Sequence, residues 1–152
     1  MTDETGTYDI AASAPMLIKR CGKLISQTVN KTLADAGYAV TGSQWAILTL
    51  LRHEDGVTQQ ELADRNSASK VTAFRLIERL EELGFVRREP DARDGRCKRV
   101  FLTPEGEGLL RELTPLVKEN AARLTRDIGE AEFAAMMDAL RKIEENALRF
   151  LE

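Results

Sequence analysis

Cysteine and histidine are scarce in this chain of 152 residues, with two of the first (Cys21 and Cys97) and one of the second (His53). Two cysteines set far apart make no disulfide framework. No grouping of Cys, His and carboxylate has zinc-ligand spacing, so neither a metal nor another cofactor is expected. Long apolar runs are missing too. The longest, Trp45 to Leu51, is broken by Thr49 and falls well short of the ~18 residues of a membrane helix. The start, MTDETGTYD, lacks the basic-then-apolar layout of a signal peptide. Residues 1–14 are therefore expected to be a disordered tail, and the protein to be cytoplasmic with no membrane partner. Positive charge is not in excess: 22 Lys and Arg against 25 Asp and Glu leave a net charge of −3. Taken alone, that argues against a nucleic-acid partner.

The distribution of charge points the other way. Residues 1–57 carry 5 basic and 6 acidic groups, residues 58–102 carry 10 and 8, and residues 103–152 carry 7 and 11. Within the middle block, residues 87–99 hold six basic groups (Arg87, Arg88, Arg93, Arg96, Lys98, Arg99) against three acidic ones. A basic centre between acidic arms suits a protein whose middle meets phosphates. A plain solvated loop explains the charge equally well. The remaining composition, 43% hydrophobic and 31% charged, is that of a globular chain, without internal repeats.

Apolar residues at three- and four-residue steps (Leu17, Cys21, Leu24; Ile25, Val29, Leu33) predict a first helix from Pro15, ended by Gly37. Thr41 with Gln44 forms a capping-box pattern opening a second helix, with Trp45, Ile47, Leu48 and Leu51 inward and Gly56 as its stop. Thr58 with Glu61 repeats the pattern for a short third helix over 59–66. Ser67 or Ser69 caps a fourth, with Val71, Phe74, Ile77 and Leu80 in its stripe and Gly84 as its stop. Then the period changes. Runs 85–89 and 98–102 read as a hairpin around PDARDGRC, whose Pro90 and Asp94-Gly95 are turn formers. Thr103-Pro104-Glu105 opens a long helix, bent at Pro115 and broken at Gly129. A last helix carries Phe133, Met136, Met137, Leu140, Ile143, Ala147, Leu148 and Leu151.

Two short helices separated by a few polar residues and followed at once by a charged hairpin form a winged helix-turn-helix pattern. In such a motif the second helix enters the major groove of DNA. The fourth helix suits that role, since Ser67, Ser69, Lys70, Thr72 and Ala73 are small or polar enough to approach base edges. Arg75 and Arg79, four apart, suit phosphates. The fold class is mainly α with a small two-stranded β-wing (α+β).

The stretch TQQELADRNSASKVTAFRLIERLEELGFVRREPDARDGRCKRVFLTPEGEGLL closely resembles the core of the MarR family. It carries Gln60-Glu61-Leu62-Ala63, Arg75 to Leu80, Gly84 to Arg88, Asp91 with Asp94 and Arg96, and Leu102 to Gly106. The resemblance implies a homodimer that binds a palindromic operator in double-stranded DNA and represses, relieved by a small ligand or by oxidation. It implies a dimerisation helix over 15–37, a winged helix-turn-helix lobe over 41–102, and a long plus a terminal helix over 103–152 completing the dimerisation region. By position, Ser69, Lys70, Thr72 and Ala73 would face the major groove. Asp94 would hold the wing tip through a salt bridge, while Arg96 would enter the minor groove. The spacing of Asp94 and Arg96 places both on one side of an extended tip, where the carboxylate would orient the guanidinium. Arg75, Arg87, Arg93, Lys98 and Arg99 complete the expected DNA contacts. Phe74 departs from a polar position in many relatives; it either touches a thymine methyl or turns inward, and its place in the stripe favours the core.

Other candidates divide between bland and functional roles. Cys21, on the apolar stripe, is read first as core, with redox sensing and a ligand-pocket lining as alternatives. Cys97, in the basic wing, is read as exposed, in a more activating setting. His53 complements the dipole near a helix C-terminus. Family members lodge small anionic aromatic effectors between the dimer helices and the lobe, for which Met16, Arg20, Trp45 and Leu113 are the candidates. Glu78, Glu81 and Glu82 read as a solvated helix face. Gly106-Glu107-Gly108 lacks the third glycine of a dinucleotide loop. No nucleophile–base pair marks an enzyme. The competing functions are a cysteine-based redox regulator of the same fold and a winged-helix protein-interaction module, the latter having no need of the charged wing tip.

Overall fold

The computed structural model describes residues 13–66 and 69–151. Most of the expected tail (1–12) and Ser67 lie outside the described residues. The chain divides into two compact units, one ending at Val117 and one beginning at Lys118.

The first unit opens with α1 (Ala14–Asp35) and α2 (Gly42–His53), followed by β1 (Val57–Thr58), α3 (Gln59–Arg65) and α4 (Lys70–Glu82). The hairpin of β2 (Val86–Pro90) and β3 (Lys98–Leu102) leads into α5 (Pro104–Thr125). Both capping boxes form as expected. The Thr41 and Thr58 side chains accept from the backbone of Gln44 and Glu61, whose side chains reach back to the cap N–H. Each box satisfies donors that the first helical turn would otherwise leave orphaned. Gly37 and Gly84 stop their helices with φ of 85° and 78°, a region other residues enter only with strain.

The sheet has a strand beyond the expected two. Its order is β1-β3-β2, all antiparallel, with Val57 opposite Val100 and Val86 opposite Leu102. The core gathers one face of every element of this unit: Leu33, Ile47, Leu48, Leu51, Leu62, Ile77, Leu80, Val86, Val100, Leu110 and Leu113 are all under 2% exposed. Gly106 is part of this packing. A Cβ there would collide with the Phe85 carbonyl oxygen, so the glycine lets the start of α5 press onto the β2 entry. That packing reason replaces any phosphate-loop reading of Gly106.

The N-terminal half of α1 behaves differently. Met16, Leu17, Ile18, Leu24 and Ile25 are 38–52% exposed, and Cys21 is exposed with them. The expectation that Cys21 packs in a core is therefore corrected: its stripe exists, but among the described residues of the unit nothing covers it.

The second unit holds the end of α5 and α6 (Glu130–Leu151). No described residue of α6 is buried, although Phe133, Met136, Leu140, Ile143, Leu148 and Leu151 line up along it. Among the described residues no helix is long and apolar enough to cross a membrane.

Candidate nucleic-acid interface

The α4 helix is started by Ser69, whose Oγ accepts from the Thr72 N–H at 3.2 Å and lies 2.9 Å from Thr72 Oγ1. The Thr72 hydroxyl is thus partly engaged by the cap. The buried stripe is Ala73, Ile77 and Leu80. Two expectations are corrected by this register. Ala73 is fully buried and cannot face a groove, and Phe74, assigned to the core by its place in the stripe, is 42% exposed. The inward position is taken by the small side chain of Ala73. The outer face presents Lys70, Val71, Thr72, Phe74 and Arg75. Charge is unevenly spread along it. The first turn has no acid, whereas Glu78, Glu81 and Glu82 crowd the second half, where Arg79 is held by Glu82 at 2.9 Å.

Glu81 is not part of a solvated face. Its carboxylate accepts three hydrogen bonds from Arg88: backbone N at 3.0 Å, Nε at 2.8 Å and Nη2 at 2.5 Å. This holds its pKa below the ordinary carboxylate value, chiefly through the Arg88 side-chain bonds. The C-terminal end of α4 is thereby fastened to Arg88 in the middle of β2. The only sequence trace was the resemblance of the stretch around Arg88, which names no partner.

The wing separates into a stem and a tip. In the stem, Arg87 stacks 4.5 Å over the Phe101 ring and pairs with Glu89. Arg99 pairs with Asp91 and donates from Nη1 to the Gly56 carbonyl at 2.6 Å. Asp91 also accepts from the backbone N–H groups of Arg93 at 2.7 Å and Asp94 at 3.0 Å. These bonds, the backbone ones first, lower the Asp91 pKa from 3.8 to about 2. The expected tip salt bridge is corrected accordingly: the ion pair belongs to Asp91 and Arg99, not to Asp94. Asp94 instead begins a tight turn. Its Oδ1 accepts from the Arg96 N–H at 3.0 Å, and its carbonyl accepts from the Cys97 N–H at 2.9 Å. An aspartate that meets its own backbone two residues on forms such a turn readily, and the Arg96 guanidinium is left without it. Turn chemistry after Pro90 was the signal that could have singled out Asp91.

Of the six wing cations, Arg87, Arg88 and Arg99 are tied to protein partners. Arg93, Arg96 and Lys98 are exposed on the tip and the adjoining strand end, and make no ion pair among the described residues. Lys70 and Arg75 on α4 are in the same condition.

The thiol in the wing is not activated. Cys97 has its pKa raised, first by the charge of the Asp94 carboxylate beside it, contrary to the expected activating setting. His53 is exposed in the last turn of α2, as a dipole-complementing residue should be. The four effector candidates are not brought together. Leu113 is fully buried in the core because it lies on the inward stripe of α5, while Met16 and Arg20 are exposed on α1. Trp45 alone lines a cleft, of about 250 Å³ between α1 and α2, with Ile25, Ser26, Val29 and Ala46. Its indole Nε1–H is buried without a hydrogen-bond partner among the described residues.

A family model described as MarR family matches residues 40–96. The transcriptional regulator HosA of Escherichia coli O127:H6 is 30% identical over 104 residues, which cover 68% of this chain and 77% of that protein. Among solved structures, one of MarR aligns with a TM-score of 0.79 at 26% identity, covering 95% of this chain and 97% of the other. One of CouR from Rhodococcus jostii RHA1, bound to p-coumaroyl-CoA, aligns with a TM-score of 0.76 at 25% identity, covering 90% and 95%.

Proposed function

The chain belongs to the MarR family and is a transcription regulator rather than an enzyme, and we propose that it is a repressor that grips a palindromic operator as a homodimer. The observation that carries this is the sorting of cations. Those in the wing stem are engaged by internal partners, whereas Lys70, Arg75, Arg93, Arg96 and Lys98 stand exposed on the start of α4 and on the wing. Phosphate contacts need such unengaged charges, because releasing counterions from DNA is their source of affinity. The N-terminal turns of α4 serve as the major-groove reader, with Lys70 and Thr72 toward bases and Ser69 as the cap that orients them. Arg96 serves the minor groove, where a planar, always-charged group suits strong negative potential. Arg87 and Arg99 act on grip indirectly, by fixing the stem.

The exposed apolar stripes of α1 and α6 are the surfaces that a second copy would cover, which supports a dimer through residues 15–37 and the terminal part of 103–152. Release follows from a small ligand. CouR was solved with an aromatic acyl thioester, and the same chemical class suits this chain. The cleft beside Trp45 combines Ile25, Val29, Ala46 and the indole with polar Ser26, Ser43 and Asn66, a lining that suits an aromatic effector with a polar end. Redox gating at Cys97 has less support, since the Asp94 carboxylate beside the thiol raises its pKa above the ordinary value.

Selection of bound duplexes from a random pool tests the proposal. The expected consensus is a palindrome with half-sites centred about 10 bp apart, bound less tightly as salt rises and released by an aromatic carboxylate or thioester. Equal affinity for scrambled duplexes would overturn it.

A further inference from the structure

Two large apolar side chains stand in water on the outer face of α4: Val71 is 62% exposed and Phe74 is 42% exposed. They are not displaced core residues, because Ala73, Ile77 and Leu80 already fill the inward positions. Three apart in sequence, they are neighbours on one face, separated by about 4.5 Å along the axis. Lys70, Thr72 and Arg75 surround them, and the helix start has no acid; the carboxylates Glu78 and Glu82 come only after them.

An apolar pair embedded in a cationic, acid-free helix end fits a partner that is polyanionic overall and apolar at isolated points. The major groove of DNA is such a partner. The apolar feature on its base edges is the thymine C5-methyl group. We infer that Val71 and Phe74 are specificity-determining residues that read thymine methyl groups in each half-site. The inference rests on the operator reading above and names the chemistry by which that site discriminates. With base pairs ~3.4 Å apart, the two side chains reach methyls one to two base pairs apart, on either strand. Val71, short and near the helix start, covers one. Phe74, longer and to its side, covers the other.

The test uses the intact protein and its selected operator, in which each thymine of one half-site is replaced singly by deoxyuridine. That change removes the methyl and leaves every hydrogen-bonding group in place. Affinity, read by fluorescence anisotropy, is expected to fall about fourfold at one or two positions, the effect of one methyl-sized group returned to water. At one of those positions the loss should disappear in Val71→Ala, and at the other in Phe74→Ala. Both variants alter exposed residues, and unchanged melting curves would confirm that they fold. Uracil tolerated at every position, or a consensus without thymine in the half-site, would overturn the inference while leaving the operator reading intact. Loss of higher assemblies in the two variants with unaltered base preference would also overturn it, assigning the patch to contact between copies. Failure to select any duplex would overturn the operator reading and this inference with it.

Discussion

Helices α2 and α6 are both built on an apolar stripe, yet they end in opposite conditions. In α2, 12 residues long, Ile47, Leu48 and Leu51 are at most 1% exposed. In α6, 22 residues long, no described residue is buried, and Ile143 is 47% exposed. Helical periodicity therefore marks which face needs covering and is silent on what covers it. For α2 the cover is in the same unit. For α6 no cover is present among the described residues, and a large uncovered apolar face is a signature of a binding surface.

The contrast is broken most severely by putting charge on the uncovered face. The double replacement Leu140→Glu with Ile143→Glu is expected to give a monomer by sedimentation velocity. Operator affinity should fall by about a hundredfold or more, because two linked half-site contacts become one. A variant that remains dimeric would show that α6 is not the interface. The covered face responds in a different observable. Ile77→Ala, fully buried in α4, should cost about 2–5 kcal/mol in urea unfolding, whereas Ile143→Ala should leave the unfolding of the lobe almost unchanged.

The wing repeats the contrast on a smaller scale, with paired charges in the stem and unpaired ones at the tip. Arg96→Ala should weaken operator binding roughly tenfold with no change in melting temperature. Asp94→Ala should weaken it less, in spite of removing a negative charge near DNA, because its carboxylate shapes the tip backbone. Tighter binding by Asp94→Ala would refute that role. The smallest effect concerns pH. The Asp91 pKa is lowered from 3.8 to about 2, so its contribution to stability is complete above roughly pH 4 and is lost as pH falls toward 2. Asp91→Asn should flatten the acid arm of a stability-against-pH curve relative to the parent protein, with no difference in slope near neutrality.

Most of the helices were legible because their ends are written in local chemistry. The Thr41 and Thr58 boxes, Gly37, Gly84 and Thr103-Pro104 act over a few residues and need no tertiary context. The strand β1 was illegible because two residues, Val57 and Thr58, cannot display a period; only pairing with Val100 and Arg99 makes them a strand. The site was legible in outline and not in register. A stripe containing Val71, Phe74 and Ile77 invites the large residues inward, while the helix turns Ala73 inward instead. Asp91 and Asp94 lie three apart with the same carboxylate, and only the path of the backbone decides which one reaches Arg99. Cys21 was misjudged because its stripe is real but, as on α6, is left uncovered among the described residues.

The three bonds from Arg88 to the Glu81 carboxylate have a consequence for how such a regulator acquires new targets. They fasten the rear of α4 to the hairpin, well away from the side chains at its front. The exposed residues 70–72, 74 and 75 and the tip can therefore vary under selection around the buried Ala73, while the angle between helix and hairpin is inherited unchanged. Paralogues descended from one ancestor would then diverge in the sequence they prefer sooner than in the spacing they require, and a graft of residues 70–75 between them should carry the preference with it.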